Sequence, residues 1–310
     1  MLVVPNLENL KRRLDRFFWQ NRSTETALLR EVLTRDFFKL GGVGVIGGLV
    51  RDFARGGRSA FKSDVDLVID GNADEVSMFA ARVQAKPNRF GGYGYAVGPW
   101  KIDFWALEKT WAFTEGHVAV KNLADVVQCT FFDWDAAIYD LRNRRIACTD
   151  GYLDRIRSKQ IEIALRSNPE ELGNLLRATR RILGWDLRPG PKLNRFIWDH
   201  LDDDAFEAMR ISERKKHHVC LLEDFQDAEH LRLRLLGSNW NNSYDYTQLE
   251  LPFEPIGAMS PICLGHEAVR TGRSASTRTA KQCDGQDGRL LAKKKRAEIA
   301  SRAAANMLQI

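Results

Sequence analysis

The chain has 310 residues with an apolar content of 44%, enough for one large or two modest domains around a real core, which excludes an intrinsically disordered protein. Its five cysteines (Cys129, Cys148, Cys220, Cys263, Cys283) are odd in number and form no C-x-x-C, which argues against a disulfide framework or a zinc site of usual spacing and fits a reducing cytoplasm. The net charge of +6 belongs to the last fifty residues: 261–310 hold ten Lys/Arg and four Asp/Glu, leaving 37 of each sign in the other 260. Such a basic tail can neutralise nucleic-acid phosphates, or it can be a solvated extension. No stretch approaches a membrane span, and Leu2-Val3-Val4 is too short for the apolar region of a signal peptide.

Taken in order, residues 7–20 and 24–40 read as two amphipathic helices. Leu7, Leu10, Leu14, Phe17 and Phe18 recur at helical spacing, and Ser23 or Thr24 can cap the second. Both are expected to cover the catalytic part without chemistry of their own. The informative stretch is 43–70, VGVIGGLVRDFARGGRSAFKSDVDLVID. It reads as a short apolar strand at 43–46, a glycine pair (Gly47, Gly48), a helix carrying Arg51 and Asp52, a loop with Lys62, and a strand holding Asp64 and Asp66. Strand alternation puts Asp64 and Asp66 on one face. Adjacent carboxylates repel unless a cation lies between them, and hard cations such as Mg²⁺ prefer carboxylate oxygens. A glycine pair opening a helix offers backbone N–H groups and the positive end of the dipole to a phosphate. The combination suits metal-assisted phosphoryl or nucleotidyl transfer. The same stretch contains a G-x-G-x-x-G match from Gly42 to Gly47, but it overlaps the strand instead of following it, so a dinucleotide site is not expected.

Residues 73–84 read as a helix with Val76, Phe79, Ala80 and Val83 inward. A hairpin follows, with Gly91-Gly92 and Gly98-Pro99 near turns and Asp103 on its second strand, 101–106, where sheet pairing can bring it beside Asp64 and Asp66. Trp105, Trp111 and Phe113 come next; they can stack a base, although a core role is the commoner one for such residues. In 168–185, Asn168 is placed to cap a helix with Pro169 in its first turn and Leu172, Leu175, Leu176, Thr179 and Leu183 on the inner face. More helix is expected over 193–236, broken at Asp202-Asp203-Asp204, which reads as a cap because consecutive helical residues fan outward. Periodicity is lost over 237–288, and 289–308 is a candidate basic helix.

The GG-x-VRD followed by D-x-D resembles the head of the DNA polymerase β-like nucleotidyltransferases, most of all the class II CCA-adding enzymes and bacterial poly(A) polymerases. The resemblance implies an α+β fold, with a small mixed sheet and helices as head, then a helical neck and body. The implied divisions are N-terminal helices 1–40, head 41–150, neck and body 151–236, and basic tail 237–310. It implies that Gly47, Gly48, Arg51, Asp52 and Lys62 hold the triphosphate. Asp64, Asp66 and the third carboxylate Asp103 would hold two Mg²⁺ ions, with Mn²⁺ able to substitute. Residues 129–158 are similar to R-R-D-F-T-I-N-A-L-x-Y-D, but Cys129-Thr130-Phe131 replaces the Arg-Arg-Asp and Asp135 the asparagine, at positions that touch sugar and triphosphate. Residues 168–185 resemble the neck helix, with Leu176 to Arg180 as its L-R-A-x-R. In its base-reading E-D-x-x-R, Glu171 takes the place of the aspartate and Asn174 that of the arginine; Arg177, Arg180 and Arg181 are further candidate phosphate or nucleic-acid contacts, or a solvated basic face.

The implied activity is transfer of a nucleoside monophosphate from an NTP, ATP favoured, to the 3′-hydroxyl of an RNA, as in tRNA nucleotidyltransferases and poly(A) polymerases, with release of pyrophosphate. The altered motifs keep two alternatives open: the same chemistry on a nucleotide, small-molecule or protein acceptor, and an inactive nucleotide-binding module. A cytoplasmic location and no membrane partner are expected; oligomeric state is not legible.

Overall fold

The structure, a computed structural model, describes residues 3–167 and 169–237. The cap expected at Asn168, the irregular segment from 238 and the helix expected at 289–308 lie outside the described residues. Seven strands form one mixed sheet: β1 (Gly42–Ile46), β2 (Val65–Asp70), β3 (Lys86–Pro87), β4 (Tyr93–Val97), β5 (Trp100–Ala106), β6 (Ala137–Asp140) and β7 (Arg145–Cys148). Their order is β3-β4-β5-β2-β1-β6-β7. β1 lies antiparallel to both β2 and β6, and β2 runs parallel to β5. The G-x-G-x-x-G residues are therefore β1 itself, between antiparallel neighbours, and open no parallel β-α-β unit.

One sheet face packs on the main core. Val43, Val45, Val65, Leu67, Ile69, Ile102 and Phe104 all lie there with almost no exposure. The helices α1 (Leu7–Asp15), α2 (Thr24–Arg35), α3 (Gly48–Arg55) and α4 (Ala73–Arg82) belong to this layer. Ser23 Oγ caps α2 by accepting from the Thr26 N–H. The first helix ends earlier than its periodicity suggests. At Arg16–Gln20 the backbone widens into a π-turn, which buries the neighbours Phe17 and Phe18 together. Buried Asp15 ties α1 to the sheet, accepting from the Tyr139 hydroxyl, Arg144 Nε and Lys11 Nζ.

The other sheet face carries a smaller apolar cluster, including Ile46, Val68, Leu107, Val126 and Ile138. The chain between β5 and β6, with the short α5 (Trp111–Thr114), covers it in part. Beyond the sheet come α6 (Tyr152–Arg157), β8 (Gln160–Ile161), α7 (Glu171–Trp185), β9 (Arg188–Pro189), α8 (Pro191–His200), α9 (Asp203–Lys216) and α10 (Ala228–Leu236). α7 starts at Glu171 with Glu170 as its N-cap, so Pro169 precedes the helix instead of sitting in its first turn. Asp202 caps α9 through the Ala205 N–H. The main core is continuous from Val4 to Leu235, joining sheet layer and helices α7–α10. Among the described residues no helix is long and apolar enough to cross a membrane.

Candidate active site

Parallel pairing of β2 with β5 sets the site. Val65 stands opposite Ile102, Asp66 opposite Asp103, and Val68 opposite Trp105. Because side chains alternate, the residues that bury Val65, Leu67, Ile102 and Phe104 in the main core send Asp66, Asp103 and Trp105 to the opposite face. There they border a cleft of about 400 Å³, with Gly47, Glu170 and Arg177 on its other sides. Gly47 makes the turn from β1 into α3 with φ +71°, and a β-carbon on it would lie 3.7 Å from Asp66 Oδ2. Gly48 follows so close to Ser63 that a β-carbon would come within 2.6 Å of its Oγ. The glycine pair thus brings the N-terminus of α3 against the carboxylates.

The electrostatics of the pair show a site short of positive charge. Burial first, then the like charges of Asp103, Asp64 and Asp135, push Asp66 up to about 8, with Arg51 pulling the other way. Asp103 is raised by burial and by Asp64, with Lys101 opposing. This is an all-oxygen, charge-rich donor set of the kind a hard divalent cation neutralises. The expected set of three is not assembled, however. Among the described residues no three His, Cys, Asp or Glu side chains are disposed to hold a metal. The physical reason is that Asp64 stands ahead of β2, exposed, without the ladder bonds that align Asp66 with Asp103. It borders a surface groove with Lys62, Arg58 and Lys101. Asp66 and Asp103 could hold a cation, with Asp64 in electrostatic reach.

Arg51 is buried behind this site, 6% exposed, and is not presented to the cleft. Its Nη1 donates to Asp135 Oδ1 at 2.6 Å and its Nε to Asp52 Oδ1 at 3.1 Å. The other oxygen of Asp135 accepts from Arg181 Nη1 at 2.7 Å. Although burial opposes ionisation, the two arginines hold Asp135 down at about 2. Trp185 closes the cluster, with the guanidinium carbons of Arg55 and Arg51 at 4.1 and 5.0 Å from its ring. Asp52 serves Arg51 and Arg55 from a buried position, 3% exposed. The Arg51–Asp135–Arg181 triad joins α3, the turn before β6, and α7.

The neck residues sort differently from the expectation. Arg177 does border the cleft, donating to Asn174 Oδ1 at 2.6 Å. Asn174 itself is fully buried, so it supports Arg177 from behind. Glu171 turns outward to Arg166 and His200, because it is the first residue of α7; Glu170, one position earlier, borders the cleft and pairs with Arg89 and Arg177. Arg180 faces α9 instead of the cleft. It donates to fully buried Glu213 and to the Val219 carbonyl. Lys62 lies in the loop groove with Arg51, Arg55 and Arg180, away from the carboxylate cleft. Sequence reasoning missed Glu170 and Trp185 as site residues, and Arg181, expected as a phosphate or nucleic-acid contact, is instead paired with Asp135. A signal was present: Arg177, Arg181 and Trp185 recur every four residues and so share one helix face.

No family model matches the chain, and no curated protein sequence does. Solved structures do. A CCA-adding enzyme in complex with ATP is 17% identical over 71% of this chain and 52% of its own, with a TM-score of 0.45. A tRNA nucleotidyltransferase complexed with a primer tRNA and an incoming ATP analog is 19% identical over 68% and 63%, with a TM-score of 0.44. The CCA-adding enzyme of Bacillus stearothermophilus in complex with CTP is 16% identical over 61% and 46%, with a TM-score of 0.40. The chain spans about half to three-fifths of the length of these proteins.

Proposed function

We propose that the chain is a metal-dependent nucleotidyltransferase that moves a nucleoside monophosphate from an NTP to a hydroxyl acceptor, RNA being the acceptor class of the enzymes that its GG-x-VRD and D-x-D motifs resemble. The observation that carries this reading is the in-register Asp66–Asp103 pair on the cleft face of the sheet, directly beside the glycine turn that opens α3. In the reaction the acceptor oxygen attacks the α-phosphorus, the bond to the bridging oxygen breaks, and pyrophosphate leaves. Asp66 and Asp103 would hold Mg²⁺, with Asp64 in electrostatic reach; when bound, the ion supplies charge neutralisation at the attacking and leaving oxygens.

The remaining work falls to the chain's own groups. The N–H groups at the start of α3, reached over Gly47 and Gly48, are placed to receive phosphate oxygens, and the helix dipole favours their charge. Arg177, across the cleft from the carboxylates, adds a positive group on the neck side, held in place by Asn174. The Arg51–Asp135–Arg181 triad keeps α3 and α7 at fixed distance, so the two walls of the cleft keep their spacing. A second reading keeps the same chemistry with an acceptor other than RNA; the replacement of Arg-Arg-Asp by Cys129-Thr130-Phe131 and the altered base-reading motif favour it.

The test is incubation of the full chain with each labelled NTP and dNTP, Mg²⁺, and either total RNA or no added acceptor. Label should appear on RNA or on a smaller product, and Asp66→Asn should abolish it. Absence of transfer from every nucleotide, with or without RNA, would refute the assignment.

A further inference from the structure

Trp105 and Trp111 are not used by the chemistry above, yet both border the cleft. Trp105 lies two residues beyond Asp103 on the same strand and so on the same sheet face, opposite Val68 as Asp103 is opposite Asp66. Two residues along a strand advance about 6.6 Å, which leaves room for a sugar between the carboxylates and the indole. The indole is pinned: Nε1 donates to Thr110 Oγ1 at 3.1 Å, and Gly92 passes so close that a β-carbon there would meet Trp105 Cβ at 3.3 Å. Trp111 begins α5 across the covering segment, its ring 5.2 Å from that of His117.

These rings differ from the aromatics of the core. Phe37, Phe79 and Phe104 pack edge-on or tilted against one another on the other sheet face and are almost completely buried. Trp105 and Trp111 stay half-buried, with Phe90, 38% exposed, at the same cleft. A cleft with an apolar aromatic wall beside paired carboxylates and an arginine can complement a nucleotide: the wall suits the flat base, and Arg177 with a cation on the carboxylates would suit the anionic phosphates. Base–aromatic stacking needs only a π-face, and every base has one.

We propose that Trp105 and Trp111 form the stacking wall for the nucleobase of the incoming nucleotide. The proposal rests on the nucleotidyl-transfer reading for the identity of the ligand, and it adds where the base sits and what holds it.

The experiment measures binding of the four NTPs, the four ribonucleosides and inorganic tripolyphosphate to the full chain in Mg²⁺ buffer, by calorimetry and by quenching of tryptophan fluorescence. At least one NTP should bind at least tenfold more tightly than tripolyphosphate. Trp111→Leu should weaken that NTP at least fivefold, the effect of about 1 kcal/mol, and leave tripolyphosphate unchanged. Trp111→Phe, which keeps a ring, should stay within about twofold of wild type. The proposal is overturned if every NTP binds the wild-type protein no more tightly than tripolyphosphate, or if Trp111→Leu weakens NTP and tripolyphosphate equally. Failure of the transfer reading looks different: no label is transferred in the assay described above, while NTP or nucleoside binding weakened in Trp111→Leu would still report the stacking wall.

Discussion

Asp135→Asn tests the coupling of α3 to α7. The substitution keeps the shape of the side chain and removes its charge, leaving Arg51 and Arg181, at 2.6 and 2.7 Å from its two oxygens, without their shared counter-ion. Two magnitudes bound the cost. Asp135 titrates at about 2 against an ordinary 3.8. At about 1.4 kcal/mol per pH unit, the charged form is therefore favoured in the folded state by about 2 kcal/mol. Removing one partner of a buried ion pair costs about 3–5 kcal/mol. The asparagine amide could still accept one hydrogen bond, so a loss of about 2–4 kcal/mol is expected near neutral pH. The sign of the pH dependence follows from the depressed native value. The stabilisation is complete above about pH 4, where the unfolded carboxyl is ionised, and is lost as pH falls toward 2. Urea denaturation of both proteins between pH 2 and 7 measures this. The gap between wild type and variant should be widest above pH 4 and close in acid. Adding Arg181→Met should recover part of the loss, because Arg51 keeps Asp52 as a partner while Arg181 loses the acid it faces. A variant within 0.5 kcal/mol of wild type at pH 7, a margin about the size of an ordinary surface substitution, would show that the triad does not join α3 to α7 energetically.

Further outcomes follow from the same geometry. Asp66→Asn and Asp103→Ala should each lower nucleotide transfer by several kcal/mol in barrier, or at least about 10³-fold, with circular dichroism unchanged; wild-type turnover in either would remove the carboxylate pair from the mechanism. Arg180→Met should destabilise the protein by about 3 kcal/mol in thermal or urea unfolding, since it strands the fully buried Glu213, while KM for the nucleotide moves less than about threefold. Gly48→Ala should cost about 1–3 kcal/mol through overpacking against Ser63. Ser63→Gly in the same chain should restore much of it, and failure of that rescue in a melting experiment would place the strain elsewhere.

Much of the site was legible in the sequence because it depends on local rules. A strand repeats every two residues, so Asp66 and Asp103, each on a strand of matching alternation, turn away from the core face, while Asp64, expected on the same strand side as Asp66, falls ahead of β2. Gly47-Gly48 before a helical stretch marks a backbone turn that other residues adopt only with strain, and φ +71° at Gly47 is of that kind. What the sequence left open depends on which elements face each other. Register between β2 and β5 is a tertiary quantity; it sets Asp66 against Asp103 and leaves Asp64 ahead of the ladder. Whether an arginine meets substrate or a buried acid is also decided by packing. Arg51 and Arg180 read as phosphate contacts, yet Asp135 and Glu213 come from 84 and 33 residues away to claim them. One residue of shift in the start of α7 exchanges Glu171 for Glu170 at the cleft, since each step turns the helix by about 100°. Trp105 and Trp111 could be core or surface by sequence; their exposure was decided by how far the chain between β5 and β6 covers the second sheet face. Local chemistry is written in spacing, but burial and partnership arise from contacts distant in sequence, and those exist only once the chain has folded.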